Sequence, residues 1–372
     1  MERVPLVDLQ IQQEQIRDEL NEGLAQVLET SSFVLGPAVR AFEKSYARFE
    51  GVKHCVGAGN GSDAIEFMLR ALGVGAGDEV IVPTNASICA ALAVVRTGAK
   101  PVLVDCDAHH HLIDPDQVEE SITKNTQAVL AVHQFGQMAP MRALGAITER
   151  AGVALLEDAS HAHGARQGGA PAGTLGLAAA TSFSPEMNLG AYGDAGAVIT
   201  DSDVIARGVE ALCNQGREGR YPVLGFESRL DSLQAAVLSA KLKHLARWNG
   251  QRRTAAAYYD HALAALDWIE RPSVAPGNEH VWHVYAVRVP ERDRVLAALR
   301  ESGIDAAVHY PTPIHLSGRF ADLGGFTGGL PVAERLANEM ISLPIFPGIS
   351  EAQQARVVAA LAHIGGLLKI AA

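Results

Sequence analysis

The sequence has no block of basic residues. Lys and Arg number 31 against 42 Asp and Glu, a net charge of −11. A nucleic-acid partner is therefore not expected, because binding a polyanion needs a concentrated positive surface. No apolar run is long enough to span a bilayer, and the opening MERVPLVDLQ lacks the apolar core of a secretion signal. No membrane partner is expected, and the expected location is cytoplasmic. Cysteine is scarce: Cys55, Cys89, Cys106 and Cys213 are scattered, and no pair has metal-ligand spacing. They read as small buried apolar residues rather than disulfides. The run His109-His110-His111 has no second ligand cluster in sequence. It reads as a solvated turn, and no metal is expected. Internal repeats and low-complexity segments are also missing.

What is present is a chain of 372 residues, 48% hydrophobic, ample for a large core and more than one domain. Ile16, Leu20, Leu24 and Leu28 share one face of a helix predicted over Glu14–Leu28, and a second follows over Ala38–Phe49. From residue 79 onward, short apolar strands alternate with helices. The predicted strands are Glu79–Pro83, Pro101–Asp105, Ala128–Val132, Val153–Glu157, Ala179–Phe183 and Ala197–Thr200. That alternation predicts an α/β fold with a mostly parallel central sheet covered by helices. Ligands then sit beyond the strand C-termini, which carry Asp105, His133, Asp158 and Ser182. After Pro272 the pattern changes. A strand over His280–Val289, a helix over Glu291–Ser302, a short strand over Ala307–Tyr310 and helices over Pro331–Ile341 and Glu351–Leu368 predict a smaller C-terminal α+β domain. The expected division is a large domain at 1–246 and a small one at 247–372.

Two glycine-rich segments suggest ligand contact. Gly57-Ala58-Gly59-Asn60-Gly61-Ser62-Asp63 runs into a helix, and a helix N-terminus offers N–H groups and a positive dipole end to an anion. The stretch Ala180–Gly196, ATSFSPEMNLGAYGDAG, turns through Ser184-Pro185 and ends in glycines that admit close backbone approach. This second stretch resembles the cofactor-lysine loop of the DegT–StrS sugar aminotransferases, which have the type I aminotransferase fold and use pyridoxal phosphate (PLP). The strings PLVDLQ, GDEVIVP, PVLVDCD, VHQFGQ, LLEDASHAHGA, SRLDSLQAA, WNGQRR, VHYPTP and SLPIFPG resemble that family in the same order, over nearly the full length. The resemblance implies the type I fold and a homodimer with shared active sites. It also implies that Gly61, Ser62 and Ser182 hold the cofactor phosphate and that Asp158 pairs with the pyridine nitrogen, keeping the ring an electron sink.

Four positions depart from the family pattern. Met187 stands where the family has its Schiff-base lysine, and a thioether can neither form that link nor move a proton. Ser87 stands where an aromatic ring stacks on the cofactor, forfeiting ~1 kcal/mol or more of ring affinity. His161 replaces a glutamine beside the cofactor's phenolic oxygen. Glu227 replaces an asparagine that reaches the phosphate across the dimer, and a carboxylate there repels a phosphate. Together these changes lead to the expectation of a diverged protein that keeps the scaffold, binds no cofactor, and retains Gly61, Ser62, Ser182 and Asp158 as a vestigial PLP site. Noncovalent PLP or pyridoxamine phosphate (PMP) is the alternative. The expected activity is acid–base chemistry (isomerisation, dehydration, cyclisation or condensation) on a small polar substrate such as a sugar, cyclitol or specialised metabolite. Asp158, His161, His163, Glu186 and Glu227, with His133, are the groups expected to converge, a histidine beside a carboxylate being able to work near neutral pH. One alternative is a sugar or cyclitol aminotransferase in which Met187 was introduced by design. Another is a non-catalytic partner of an active relative. His309-Tyr310 reads equally as a substrate-end segment or a structural turn.

Overall fold

The computed structural model describes residues 3–217, 223–322 and 329–368. In chain order, the first strands are β1 (His54–Ala58), β2 (Glu79–Pro83), β3 (Lys100–Val104), β4 (Thr126–Val132) and β5 (Ala154–Asp158). A two-residue hairpin, β6 (Arg166–Gln167) and β7 (Ala170–Pro171), precedes β8 (Ala178–Ser182) and β9 (Gly196–Thr200). Seven of these form one sheet in the order β1-β9-β8-β5-β4-β2-β3. The run β3-β2-β4-β5-β8 is parallel, while β9 lies antiparallel to both β8 and β1. Val80, Ile81 and Val82 of β2 and Val129, Leu130 and Ala131 of β4 are wholly buried. Strands covered on both faces lack polar alternation, and this is why they read as continuous apolar runs. The mostly parallel sheet agrees with the sequence reading. The edge strand β1 was missed because His54–Ala58 is short and runs straight into the glycine turn.

The N-terminal helix predicted over Glu14–Leu28 is two helices, α1 (Leu9–Gln15) and α2 (Arg17–Thr30). Ile16, between them, is buried against Ala240 and Trp248, and Gln15 Oε1 accepts hydrogen bonds from Trp248 and Arg247. Tertiary contacts break a pattern that looks continuous in sequence. Helix α3 (Pro37–Glu50) packs under the β8–β9 end of the sheet, where Phe42 and Tyr46 meet Phe183 edge-on. Helix α4 (Gly61–Leu72) is capped by Asn60, whose side chain accepts from Asp63 N–H, and stops at Gly73 in the left-handed region. Helix α5 (Ile88–Thr97) is capped by Ser87.

Beyond residue 272 the sequence reading needs three corrections. The expected strand His280–Val289 is a strand only at β11 (Tyr285–Arg288), after the two-residue β10 (Asn278–Glu279). Val281 and Val284 donate instead to Gly136 and Phe135 carbonyls, so this stretch binds the turn after β4. The expected strand Ala307–Tyr310 is a single bridge from Ala307 to Ser342. The helix predicted over Pro331–Ile341 ends at Glu339, and Met340–Leu343 is β12, antiparallel to β11. Tyr259, Val287, Leu299, Ile341 and Leu361 form the core of this part. Among the described residues no helix is long and apolar enough to cross a membrane.

Candidate active site

A cavity of about 620 Å³ lies beyond the C-terminal ends of β8, β5, β4 and β2. Polar groups at or just after these strand ends line it: Ser87 after β2, Gln134 after β4, Asp158 on β5 and Ser182 on β8, whereas Asp105 after β3 accepts from the Val332 and Ala333 N–H groups and does not line it. A wider groove of about 920 Å³ lies against Trp268 and Arg288. There Arg288 is already paired with Glu270 and Glu339, at 2.7 and 2.8 Å. The polar groups of the sheet converge on the smaller cavity, so the chemistry is assigned there.

One wall is the start of α4. The first N–H groups of a helix have no partner inside it, and Gly61 and Ser62 hold those positions at the cavity. A Cβ on Gly61 would come within 2.5 Å of the Ser182 Cβ, so only glycine lets the helix end meet the end of β8. Ser182 N–H donates to Ser160 Oγ at 3.0 Å, and Ser160 Oγ donates to Asp158 Oδ1 at 2.5 Å. A short relay thus ties the β8 end to the β5 end. Burial raises the Asp158 carboxyl above its ordinary range, against the lowering pull of Ser160. A cationic group placed there would favour the carboxylate.

A second wall is the loop after β8. Met187 N–H closes a turn onto Ser184 O at 2.9 Å, and its side chain lines the cavity. Glu186 is held at the rim by Ser184 Oγ at 2.9 Å. Asn188 anchors the loop, its Nδ2 donating to Asn249 Oδ1 and Val281 O, so its Oδ1 is left to accept from His283 Nδ1 at 3.2 Å. A Cβ on Gly190 would sit 2.3 Å from Pro185 O, which is why the turn needs glycine.

Of the residues expected to converge, Asp158, His161, Glu186, Met187, Ser87, Gly61, Ser62 and Ser182 all line the cavity. His163, His133 and Glu227 do not. His163 is buried with its Nε2 on Thr181 Oγ1 at 2.8 Å and its ring stacked on Phe183. His133 is fully buried against Glu157, at 2.6 Å. Glu227 is exposed and pairs with Arg229 at 2.6 Å, which offsets its charge. His161 does not match the neutral-pH acid–base role expected of it. Burial, aided by His309 and His163, pushes it down to about 3. It accepts from Phe135 N–H at 3.4 Å through Nδ1, so its proton sits on Nε2. Its ring lies against His283, with centroids 4.4 Å apart.

Sequence reasoning missed Gln134, Ser160 and His283, and left His309-Tyr310 undecided, yet all five line the cavity. Cys89 lines it too, unlike the buried Cys55, Cys106 and Cys213. The His109–His111 run is a turn closed by Asp107, which accepts from the His109, His110 and Leu112 N–H groups. His111 is buried rather than solvated. Among the described residues no group of three or more His, Cys, Asp or Glu is placed to hold a metal.

Residues 14–362 match the DegT/DnrJ/EryC1/StrS aminotransferase family. The chain belongs to that family. It is 46% identical to a pleiotropic regulatory protein of Geobacillus stearothermophilus, over 97% of this chain and 98% of that one. It is 43% identical to the dTDP-3-amino-3,4,6-trideoxy-α-D-glucose transaminase of Streptomyces venezuelae, over 96% and 95%. The crystal structure of S. venezuelae DesV in complex with a ketimine intermediate superposes with a TM-score of 0.95, at 42% identity and 98% coverage of both chains. The type I aminotransferase fold is therefore established.

These relationships overturn the expectation of a cofactor-free site. The family is one of PLP-dependent aminotransferases, a 43% identical relative is a transaminase, and the superposed structure holds a ketimine. The residues present are compatible with such a group: Gly61 and Ser62 at the α4 N-terminus, with Ser182 beside them, offer N–H and hydroxyl groups that could hold an anion, and buried Asp158 is a carboxyl that a cationic group could pair with. A covalent anchor is missing, because Met187 offers no amine.

Proposed function

We propose that this chain is a sugar aminotransferase of the DegT–StrS type that holds PLP or PMP noncovalently, with its amino-transfer chemistry interrupted at Met187. The observation that carries this reading is the tight junction of α4 with β8 through Gly61, tied by Ser160 to buried Asp158. Such a junction holds the α4 N-terminus open beside the end of β8, as an anion seat requires. Gly61, Ser62 and Ser182 would hold the phosphate and Asp158 the ring nitrogen. When bound, the cofactor supplies an electron sink for moving an amino group.

The chain's own groups explain what it does and does not do. The α4 N-terminus binds charge, and the buried histidines stay neutral and exclude water. His161 presents an N–H at Nε2, while His283, donating from Nδ1, keeps a lone pair on Nε2. Neither is a lysine that can capture and release the cofactor. By analogy with relatives named as nucleotide-sugar transaminases, the substrate class is a keto-sugar carried on a nucleotide. Phe33, Val34, Leu35, Val223 and Leu224 are exposed apolar residues, and they support a homodimer as the working form.

The test is optical and then kinetic. PLP or PMP titrated into the purified protein should give a bound chromophore that releases quickly. Met187→Lys should give a yellow protein that transfers an amino group from glutamate or glutamine to a nucleotide keto-sugar. A colourless, inactive lysine variant would end this reading.

A further inference from the structure

Gln134 follows β4, on the turn that continues the strand ends supporting the cavity, and it contributes to the cavity wall. It is 2% exposed. Its Nε2 donates to the Asn85 backbone carbonyl at 2.6 Å. A carbonyl oxygen accepts only, so the amide cannot be turned over without setting two acceptors against each other. The bond therefore fixes which atom is left, and that atom is Oε1. Gln134 Oε1 is buried and has no hydrogen-bond partner among the described residues. Nearly all buried polar atoms find partners, and an unpartnered acceptor on a residue that lines a cavity marks a place for a donor from outside the chain. Asn85 is itself held, its Nδ2 donating to His111 O at 2.8 Å, so the arrangement is a braced one. β4 lies two strand spacings from β8 in the order β8-β5-β4, which at ~4.8 Å per spacing is about 10 Å from the proposed phosphate seat. Gln134 thus serves the end of the cavity away from the phosphate.

We infer that Gln134 Oε1 is a ligand-binding acceptor that takes a hydrogen-bond donor from the small molecule in this cavity, a hydroxyl or an amino group. The inference rests on the proposed sugar-aminotransferase reading and adds to it a residue that selects the ligand. The donor has two sources, the amino group of PMP or a hydroxyl of the sugar. PLP, which carries an aldehyde where PMP carries its amine, separates them.

The experiment measures affinities of the full-length protein for PMP, PLP and dTDP-glucose by calorimetry, in the wild type, Gln134→Leu and Gln134→Met. Methionine has nearly the volume of glutamine and serves if the leucine variant does not fold. The expected result is a loss of about tenfold for the ligand that supplies the donor, the fold-change of one buried hydrogen bond. Loss for PMP but not PLP assigns the acceptor to the cofactor amine. Loss for dTDP-glucose alone assigns it to a sugar hydroxyl. Unchanged affinity for all three, an equal loss for all three, or tighter binding overturns the inference while leaving the sugar-aminotransferase reading standing. Failure of the wild type to bind any of the three overturns both.

Discussion

The two ends of the cavity have been treated differently by the sequence. At the β8 end, each group is fixed by a neighbour: Gly61 against Ser182, Ser182 through Ser160 to Asp158. At the loop end, the backbone is equally well fixed by Asn188, yet the side chain that it presents is Met187. On the proposed reading, the binding seat and the bond-forming seat are separable. The bonds that hold this loop, Met187 N–H to Ser184 O and Asn188 to Asn249 and Val281, and the close approach of Gly190 to Pro185 O do not use the side chain at 187.

The largest expected effect tests that separation directly. If the loop is intact, Met187→Lys restores amino transfer by on the order of 10²–10⁴-fold, the contribution of one positioned proton-transfer group. Turnover of glutamate with a nucleotide keto-sugar is the measurement. No gain, with PLP still bound, would mean that the loop end has diverged beyond one residue and would break the comparison. Next comes the intact end. Asp158→Asn in the Met187→Lys protein should lower turnover on the order of 100-fold, because it removes one partner of a buried charge pair. A change under threefold would show that Asp158 is only the acceptor for Ser160.

How far these two ends could be read beforehand follows from chain distance. Gly61, Ser62, Asp158 and Ser182 lie at strand or helix ends, where a local motif announces them. Gln134, His283 and Tyr310 reach the cavity from irregular segments whose path depends on partners far away. Val281 and Val284 bind the 134–136 turn, which converts half of an expected strand into the mount for His283. His161 and His163 sit two residues apart in one loop, and nothing in their spacing says that one faces the cavity and the other Phe183. Their protonation was illegible for another reason. Proximity to carboxylates suggested titration near neutrality, but burial dominates and only the folded chain reveals burial.

That burial gives a pH prediction for the shell behind both ends. His161, His163 and His280 are each pushed down to about 3 by desolvation, from an ordinary value of 6.5. Below pH 6.5 the unfolded chain binds protons that the folded one refuses, so stability rises with pH in this window. It is lost as pH falls from 6.5 toward 3, by up to about 1.4 kcal/mol per pH unit per histidine. Urea midpoints at pH 7, 6, 5 and 4 should fall steadily, and His163→Phe should make that slope shallower. An unaltered slope in His163→Phe would mean that His163 takes up its proton in the folded state as in the unfolded one, against the desolvation of its buried ring.

The smallest effect is expected at Glu227, and it bears on the comparison from outside the cavity. In sequence, this carboxylate looked like a charge aimed at the phosphate seat, a reason for the site to reject its anion. In the fold, Arg229 holds it at 2.6 Å, and two-thirds of its side chain is exposed. A pair in water keeps little net field, since solvent screens what the guanidinium has not already offset. Glu227→Asn should therefore change PLP affinity by no more than about twofold, within the usual ±0.5 kcal/mol of a surface substitution. A tenfold gain would mean that the carboxylate does act on the phosphate, most directly across a dimer. The seat formed by Gly61, Ser62 and Ser182 would then be as compromised as the loop at Met187, and the contrast between the two ends would collapse.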